Sequence, residues 1–230
     1  MKLIRYIGNL FFPEVCASCG TLLLKGEETV CLSCRYLLPK TGYELNPLNP
    51  LARSFFGQMP FNMVTAEFFF SKGGRVQHLI HGLKYEGCKD NGIFLGRETG
   101  KSLKNAPPFR DVDCLVPIPL HPKKEKKRGY NQSRVIAEGI NAETGIPIID
   151  GCLVRKVHTA TQTKKSREER WENVKDIFQV TDNQRLKNKH VLIVDDVLTT
   201  GATLLSAGKA LIQVDFKRLS AAAEKKNDNF

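Results

Sequence analysis

Val191–Thr203 reads VLIVDDVLTTGAT. Val191 to Val194 are four consecutive large aliphatic residues, the mark of a strand buried on both faces, as in a parallel sheet. Asp195 and Asp196 follow at once, so two carboxylates arrive where the strand leaves the core. Adjacent residues of a regular strand point to opposite faces, so both acids can serve one ligand only if the backbone begins to turn there. The next residues, Val197 to Thr203, bring three hydroxyls, one glycine and no charge into a helix expected over Ala202–Val214. Such a loop presents backbone N–H groups and hydroxyls to an anion, with the positive end of the helix dipole behind them. It is not a Walker loop, because no Gly-Lys-Ser/Thr occurs in it. Two acids beside a phosphate cradle suit a ribose 5-phosphate, whose vicinal hydroxyls donate to the carboxylates. The alternative is a buried strand whose aspartates cap the next helix, but capping needs one acid and no threonine-rich loop.

The flanking sequence alternates between strand and helix patterns. Phe61–Ser71 is apolar and aromatic enough for a strand or hairpin, and Gly74–Tyr85 places Val76, Leu79, Ile80 and Leu83 at helical spacing. CLVPIPL (114–120) is a strand, Asn131–Ala142 a helix, and Ile146–Val154 a short apolar run. Alternation of this kind predicts an α/β fold, a parallel sheet flanked by helices on both faces, with ligands at the carboxyl ends of the strands. The last helix runs into Gln213-Val214-Asp215 without a Gly-rich turn, which leaves a closing strand over Phe216–Ala223 weakly marked. Glu224–Phe230 is expected to fray. Residues 44–60, proline-bearing and without periodicity, read as a linker. The expected division is a small module over 1–43, the linker over 44–60 and the sheet domain over 61–230.

With 230 residues and 41% hydrophobic content, the chain can form one core of ordinary size and a smaller one beside it. No stretch approaches the roughly 20 apolar residues of a membrane span, and Met1–Phe12 lacks the marks of an export signal. A soluble, cytoplasmic protein is expected. The formal net charge of +11 favours anionic partners without choosing among them.

Cys16-x2-Cys19 and Cys31-x2-Cys34 are two thiol pairs separated by eleven residues. Four thiolates are the ligand set of a structural zinc site, closed to chemistry because every position is filled by protein. The competing reading is a metal-free reduced quartet or a redox pair. Cys88, Cys114 and Cys152 show no partner spacing and read as ordinary thiols.

Pro117–Arg128 (PIPLHPKKEKKR) places five Lys or Arg among its last six residues, beyond a strand end and hence on the ligand side. A loop of this charge can neutralise pyrophosphate or contact a nucleic-acid backbone. Thr159–Asn173, with Gln162, Lys164, Lys165, Arg167 and Arg170, is too polar for core and reads as a mobile lid. Taken alone, either charge run is more often a solvated surface than a site; their place beside a phosphate cradle favours the site.

Val191–Thr203 resembles the phosphoribosyl-pyrophosphate (PRPP) signature of type I phosphoribosyltransferases. That resemblance implies Asp195 and Asp196 as ribose ligands and Val197, Leu198, Thr199, Thr200, Gly201, Ala202 and Thr203 as the 5-phosphate loop. The cysteine quartet, Leu83-Lys84-Tyr85-x-Gly87, Val116-Pro117-Ile118-Pro119-Leu120, Arg128-Gly129-Tyr130-Asn131-Gln132-Ser133, and Thr159-x2-Gln162 with Arg170-x2-Asn173 then occur in the order seen in the competence-protein ComF family, to which the chain is similar. By this resemblance Pro119–Arg128 is a pyrophosphate loop, with His121, Lys123, Lys124 and Arg128 as its candidates. Thr159, Gln162, Arg170 and Asn173 belong to a flexible loop that closes over the site. The implied chemistry is Mg²⁺-dependent displacement of pyrophosphate from PRPP, with no general base or acceptor identifiable. The implied setting is natural transformation, with single-stranded DNA and a competence helicase or recombination mediator as partners. The alternative is a non-catalytic PRPP or nucleotide sensor that holds single-stranded DNA on its zinc module and basic loops, where Tyr36, Phe55, Phe56 and Tyr130 are candidate stacking residues.

Overall fold

In the computed structural model, residues 13–156 and 177–226 are described. The sheet is parallel and runs in the order β1 (Met63–Thr65), β7 (Arg218–Lys226), β6 (His190–Leu198), β3 (Cys114–Pro117), with β2 (Phe69–Phe70) also paired to β7. A small antiparallel pair, β4 (Leu153–Arg155) with β5 (Phe178–Val180), lies beside it. Strand β6 is buried on both faces, as its four aliphatics predict. Val191 and Ile193 enter one core and Leu192 and Val194 the other, all at 0–1% exposure.

The helices, in chain order, are α1 (Leu32–Tyr36), α2 (Pro50–Arg53), α3 (Arg75–Tyr85), α4 (Lys89–Asn105), α5 (Pro122–Arg128), α6 (Gln132–Thr144) and α7 (Ala202–Leu211). Leu204, Ala207 and Leu211 of α7 cover one face of the sheet, together with Leu51, Ala52, Phe55 and Met59. Leu83 of α3, Leu103 of α4 and Val135, Ile136 and Ile140 of α6 cover the other. The cysteine module docks at the edge of that second face. Cys16, Cys31, Cys34 and Leu38 pack against Phe68, Val76, Leu79, Ile80 and Leu95. Arg35 reaches Glu98 at 2.5 Å, and Lys40 reaches Glu67 at 2.8 Å.

Several expectations need correction. The weakly marked closing strand is the centre of the sheet, and it extends to Lys226. Glu224, expected in a frayed tail, is 2% exposed, and its carboxylate accepts the Phe68 N–H at 2.8 Å. Its neighbours Ser220, Ala221, Ala222 and Ala223 are buried, Ala221 and Ala223 in one core and Ala222 in the other, but such small side chains carry none of the bulky aliphatic signature of a strand. Residues 44–60 are packed rather than a spacer. Asn49 caps α2 through its side-chain oxygen and donates to the carbonyls of Tyr43, Asn46 and Val64, while Phe55 is 2% exposed. Phe61–Ser71 is not a hairpin, since both of its strands run parallel to β7.

The basic segment after β3 is helical, not a loop. His121 Nδ1 accepts the Lys123 N–H at 3.2 Å, Pro122 occupies the first turn, and Gly129 at φ 80° ends it. Helix α4 escaped the reading altogether. Its Gly92, Gly96 and Gly100 recur every fourth residue and look like breakers, yet they let α6 approach. A Cβ on Gly96 would stand 2.0 Å from the Ile136 carbonyl oxygen, and one on Gly139 would stand 2.4 Å from that of Ile93. Among the described residues no helix is long and apolar enough to cross a membrane.

Candidate functional site

The turn that Asp195 and Asp196 require is supplied by a β-bulge. Val194 pairs with Ala222 and Val197 with Glu224, so the two acids together face one residue of β7, and the strand resumes to Leu198. The bulge brings both carboxylates to helices of a single face. Asp195 Oδ1 accepts the Ser133 hydroxyl at 3.1 Å from the first turn of α6, and Asp196 Oδ2 pairs with Lys84 Nζ at 3.0 Å from the last turn of α3. The Asp196 N–H also donates to Asp195 Oδ1 at 2.8 Å. Burial, with the neighbouring charge of Asp196 next, pushes the Asp195 carboxyl up to about 7, against the pull of the Asp196 N–H, Ser133 and Lys84. Asp196 is the more open of the two acids.

Beyond Leu198 the chain leaves the core. Thr199, Thr200, Ala202 and Thr203 are exposed, whereas Gly201 is buried. Gly201 stands at φ 79°, where a Cβ would meet the Phe55 ring at 2.8 Å. It precedes α7 and offers no side-chain cap of its own, Thr200 Oγ1 accepts the Ala202 N–H at 3.4 Å, and the other N–H groups of the first turn share one exposed end of the helix with the threonine hydroxyls.

The basic helix is tied to the same end of the sheet. The Ile118 N–H donates to the Val194 carbonyl at 2.9 Å, and Asn131 Nδ2 donates to the Ile118 carbonyl at 2.8 Å. Lys123 and Lys124 of α5 are exposed, and the ring of His121 is engaged in its cap. Arg128 donates to Gln132 Oε1 at 2.8 Å and lies 5.5 Å from the Tyr85 ring. The lid candidates Thr159, Gln162, Arg170 and Asn173 fall outside the described residues. Of the stacking candidates, Tyr36 and Phe56 are exposed, while Phe55 is a core residue and Tyr130 spends its hydroxyl on the Leu83 carbonyl. Lys84 and Ser133 had no assigned role. Each belongs to a motif quoted above, but their partners are remote in sequence, Ser133 and Asp195 being 62 residues apart.

The four thiols of Cys16, Cys19, Cys31 and Cys34 lie within 4.8 Å of one another. A tetrahedral ion with bonds of about 2.3 Å separates its sulfurs by about 3.8 Å, and Cys19 and Cys31 stand at 3.8 Å. The set therefore fits a metal held by four thiolates. The Cys31 N–H points at Cys16 Sγ and the Cys34 N–H at Cys31 Sγ, the kind of outer bonds that support thiolate ligands. Bonds from Thr21 lower the Cys19 thiol to about 6, while burial raises Cys34 to about 12. Burial likewise pushes Cys114 up to about 12 and Cys152 to about 11, as ordinary core thiols.

Comparison with known proteins bears on these features. A phosphoribosyl transferase domain family matches residues 131–224. The chain is 32% identical to competence protein ComFC of Bacillus subtilis over 224 residues, covering 92% of this chain and 90% of that one. It is 33% identical to the DNA utilization protein YhgH of Salmonella typhimurium over 223 residues, 89% of this chain and 96% of that one. Competence protein F of Haemophilus influenzae matches at 32% over 100 residues, and there the chain spans 44% of the relative's length. Among solved structures, a hypothetical protein from Neisseria gonorrhoeae with bound ppGpp aligns at 15% identity and TM-score 0.39, covering 60% of this chain and 68% of that one.

Proposed function

The chain belongs to the ComF family of competence proteins, and from that premise we propose that its phosphoribosyltransferase-type domain binds PRPP, or a related ribose 5-phosphate, at the carboxyl end of β6. The bulge at Asp195-Asp196 carries this reading, because it turns two successive carboxylates to one face beside the exposed, threonine-lined start of α7. Asp195 and Asp196 accept the ribose hydroxyls. The backbone of residues 197–203 and the hydroxyls of Thr199, Thr200 and Thr203 hold the 5-phosphate.

In the catalytic form of the proposal, a nucleophile displaces pyrophosphate from the ribose. Mg²⁺ arriving with PRPP supplies charge neutralisation on the leaving group. Lys123, Lys124 and Arg128 add fixed positive charge at the same end of the sheet. The cysteine quartet holds zinc and has a structural part only, and the chain works in the cytoplasm on DNA that has been taken up, beside a helicase or recombination mediator.

Calorimetric titration of PRPP with Mg²⁺ into wild type and Asp195→Asn tests the reading. Binding to wild type that is lost in the variant supports it, and no binding to wild type removes it. A second reading is favoured by α5, whose Lys123, Lys124, Lys126 and Lys127 all face solvent. There the domain senses PRPP or a nucleotide without turnover, and α5 contacts single-stranded DNA. Salt-sensitive DNA binding without pyrophosphate release would select it.

A further inference from the structure

Helix α3 touches the cysteine module with its first half and the acid pair with its last turn. Ser18, which lies between Cys16 and Cys19 and is 2% exposed, meets the His78 ring through its carbonyl at 2.9 Å, and its hydroxyl donates to the Arg75 carbonyl at 3.4 Å. Val76, Leu79 and Ile80 share one core with Cys16, Cys31 and Cys34, and Val197, the first residue past the acids, packs at the edge of that core. Six residues beyond His78, about 9 Å along the helix axis, Lys84 meets Asp196. The far end of α3 is pinned as well, by the Tyr130 hydroxyl on the Leu83 carbonyl and by Asn91 Nδ2 on the Leu79 carbonyl at 3.0 Å.

Two carboxylates on successive residues repel, and a nearby cation offsets that repulsion. Lys84 is the cation, with its side chain 20% exposed against 16% for its partner. We infer that Lys84 is the positioning residue of the acid pair, and that the four-cysteine module sets its place through α3, so that metal in the quartet strengthens sugar-phosphate binding at a site it does not touch. The module is then a strut for the ligand site, with Ser18–His78 at one end and Lys84–Asp196 at the other. The inference rests on the ribose-phosphate reading for its ligand, but not for its mechanical part.

The experiment uses the full chain, metal-loaded or stripped by a chelator under reducing conditions, and reads two quantities. Hydrogen exchange at residues 75–85 and 191–203, without ligand, should rise on stripping. Affinity for PRPP with Mg²⁺ should fall by about fivefold or more, the usual size of coupling between sites. Lys84→Met should weaken binding by a similar factor with metal content and melting temperature held, Lys84→Arg should restore it, and stripping the Lys84→Met chain should add little further loss. Should stripping unfold the chain, His78→Phe, which breaks the Ser18 contact with all four thiols in place, decides the matter through weaker binding at full metal content. Exchange confined to residues 16–34 on stripping, or wild-type affinity in Lys84→Met or His78→Phe, overturns the inference. If wild type binds no PRPP, the ligand reading fails while the exchange result still decides the coupling.

Discussion

The ring of Phe55 covers the α-carbon of Gly201, leaving 2.8 Å between its Cζ and any Cβ placed there. The contact joins residues 44–60 to the loop between β6 and α7. Gly201→Ala therefore meets two penalties, a left-handed backbone at φ 79° and a clash with a buried ring. The expected loss is about 2–4 kcal/mol in urea unfolding. Phe55→Leu should recover part of it by making room.

Asp195 gives the stability a distinct pH dependence. Its folded value of about 7 lies above the usual carboxylate value near 3.9. Its contribution is therefore complete below the unfolded value and is lost as pH rises through about 7. The groups facing it are Asp196, Ser133 and Lys84. Asp195→Asn should raise the urea midpoint above neutrality and flatten its decline with pH. Some decline should persist, since burial also holds Glu224 well above its ordinary range.

At the opposite end of β6, His190 is fully buried between Asp111 at 3.0 Å and Ser220 at 2.9 Å. Burial lowers its pKa against the pull of Asp111. A histidine depressed in this way contributes stability that is present above the unfolded value of about 6.5 and is lost as pH falls below it. His190→Ala should cost about 2–4 kcal/mol by opening a cavity and stranding the Ser220 hydroxyl. Thermal melts between about pH 5 and 7 should show the acid limb flattened in the variant.

Gly96→Ala should be the most damaging of the small substitutions in α4, about 3 kcal/mol or more, because the obstacle is the Ile136 backbone at 2.0 Å. Gly100→Ala meets the Glu143 side chain at 2.9 Å and the Ile140 carbonyl at 3.1 Å, so a smaller loss is expected. Equal losses in chemical denaturation would count against the close approach of α4 and α6.

Where the sequence was legible, one local rule spoke without competition. Four aliphatics in a row made β6 a two-faced strand, and paired Cys-x2-Cys runs marked a thiol cluster that the fold does assemble. The illegible parts are those in which tertiary contact overrides local preference. Glycines of α4 resemble breakers until α6 is laid against them, and small residues of β7 look featureless until both layers cover them. Residues 44–60 lack any period because a capped turn and isolated anchors, Leu51, Phe55 and Met59, hold them. The acid pair was visible as a pair, but its partners Ser133 and Lys84 were not, since side-chain contacts between distant segments leave no spacing to read.

The position of β7 also constrains the order in which the protein can be made. Strand β1 finds its neighbour 157 positions later, Met63 beside Ser220. A ribosome that has delivered residues only as far as 217 has produced one paired piece of sheet, β3 with β6, and the short strands β1 and β2, which among the described residues pair with β7 alone, so the edges that β7 will fill stand open. Such edges invite pairing with other chains. Nascent molecules should thus depend on chaperone shelter until the alanine-rich segment emerges and zips the halves together.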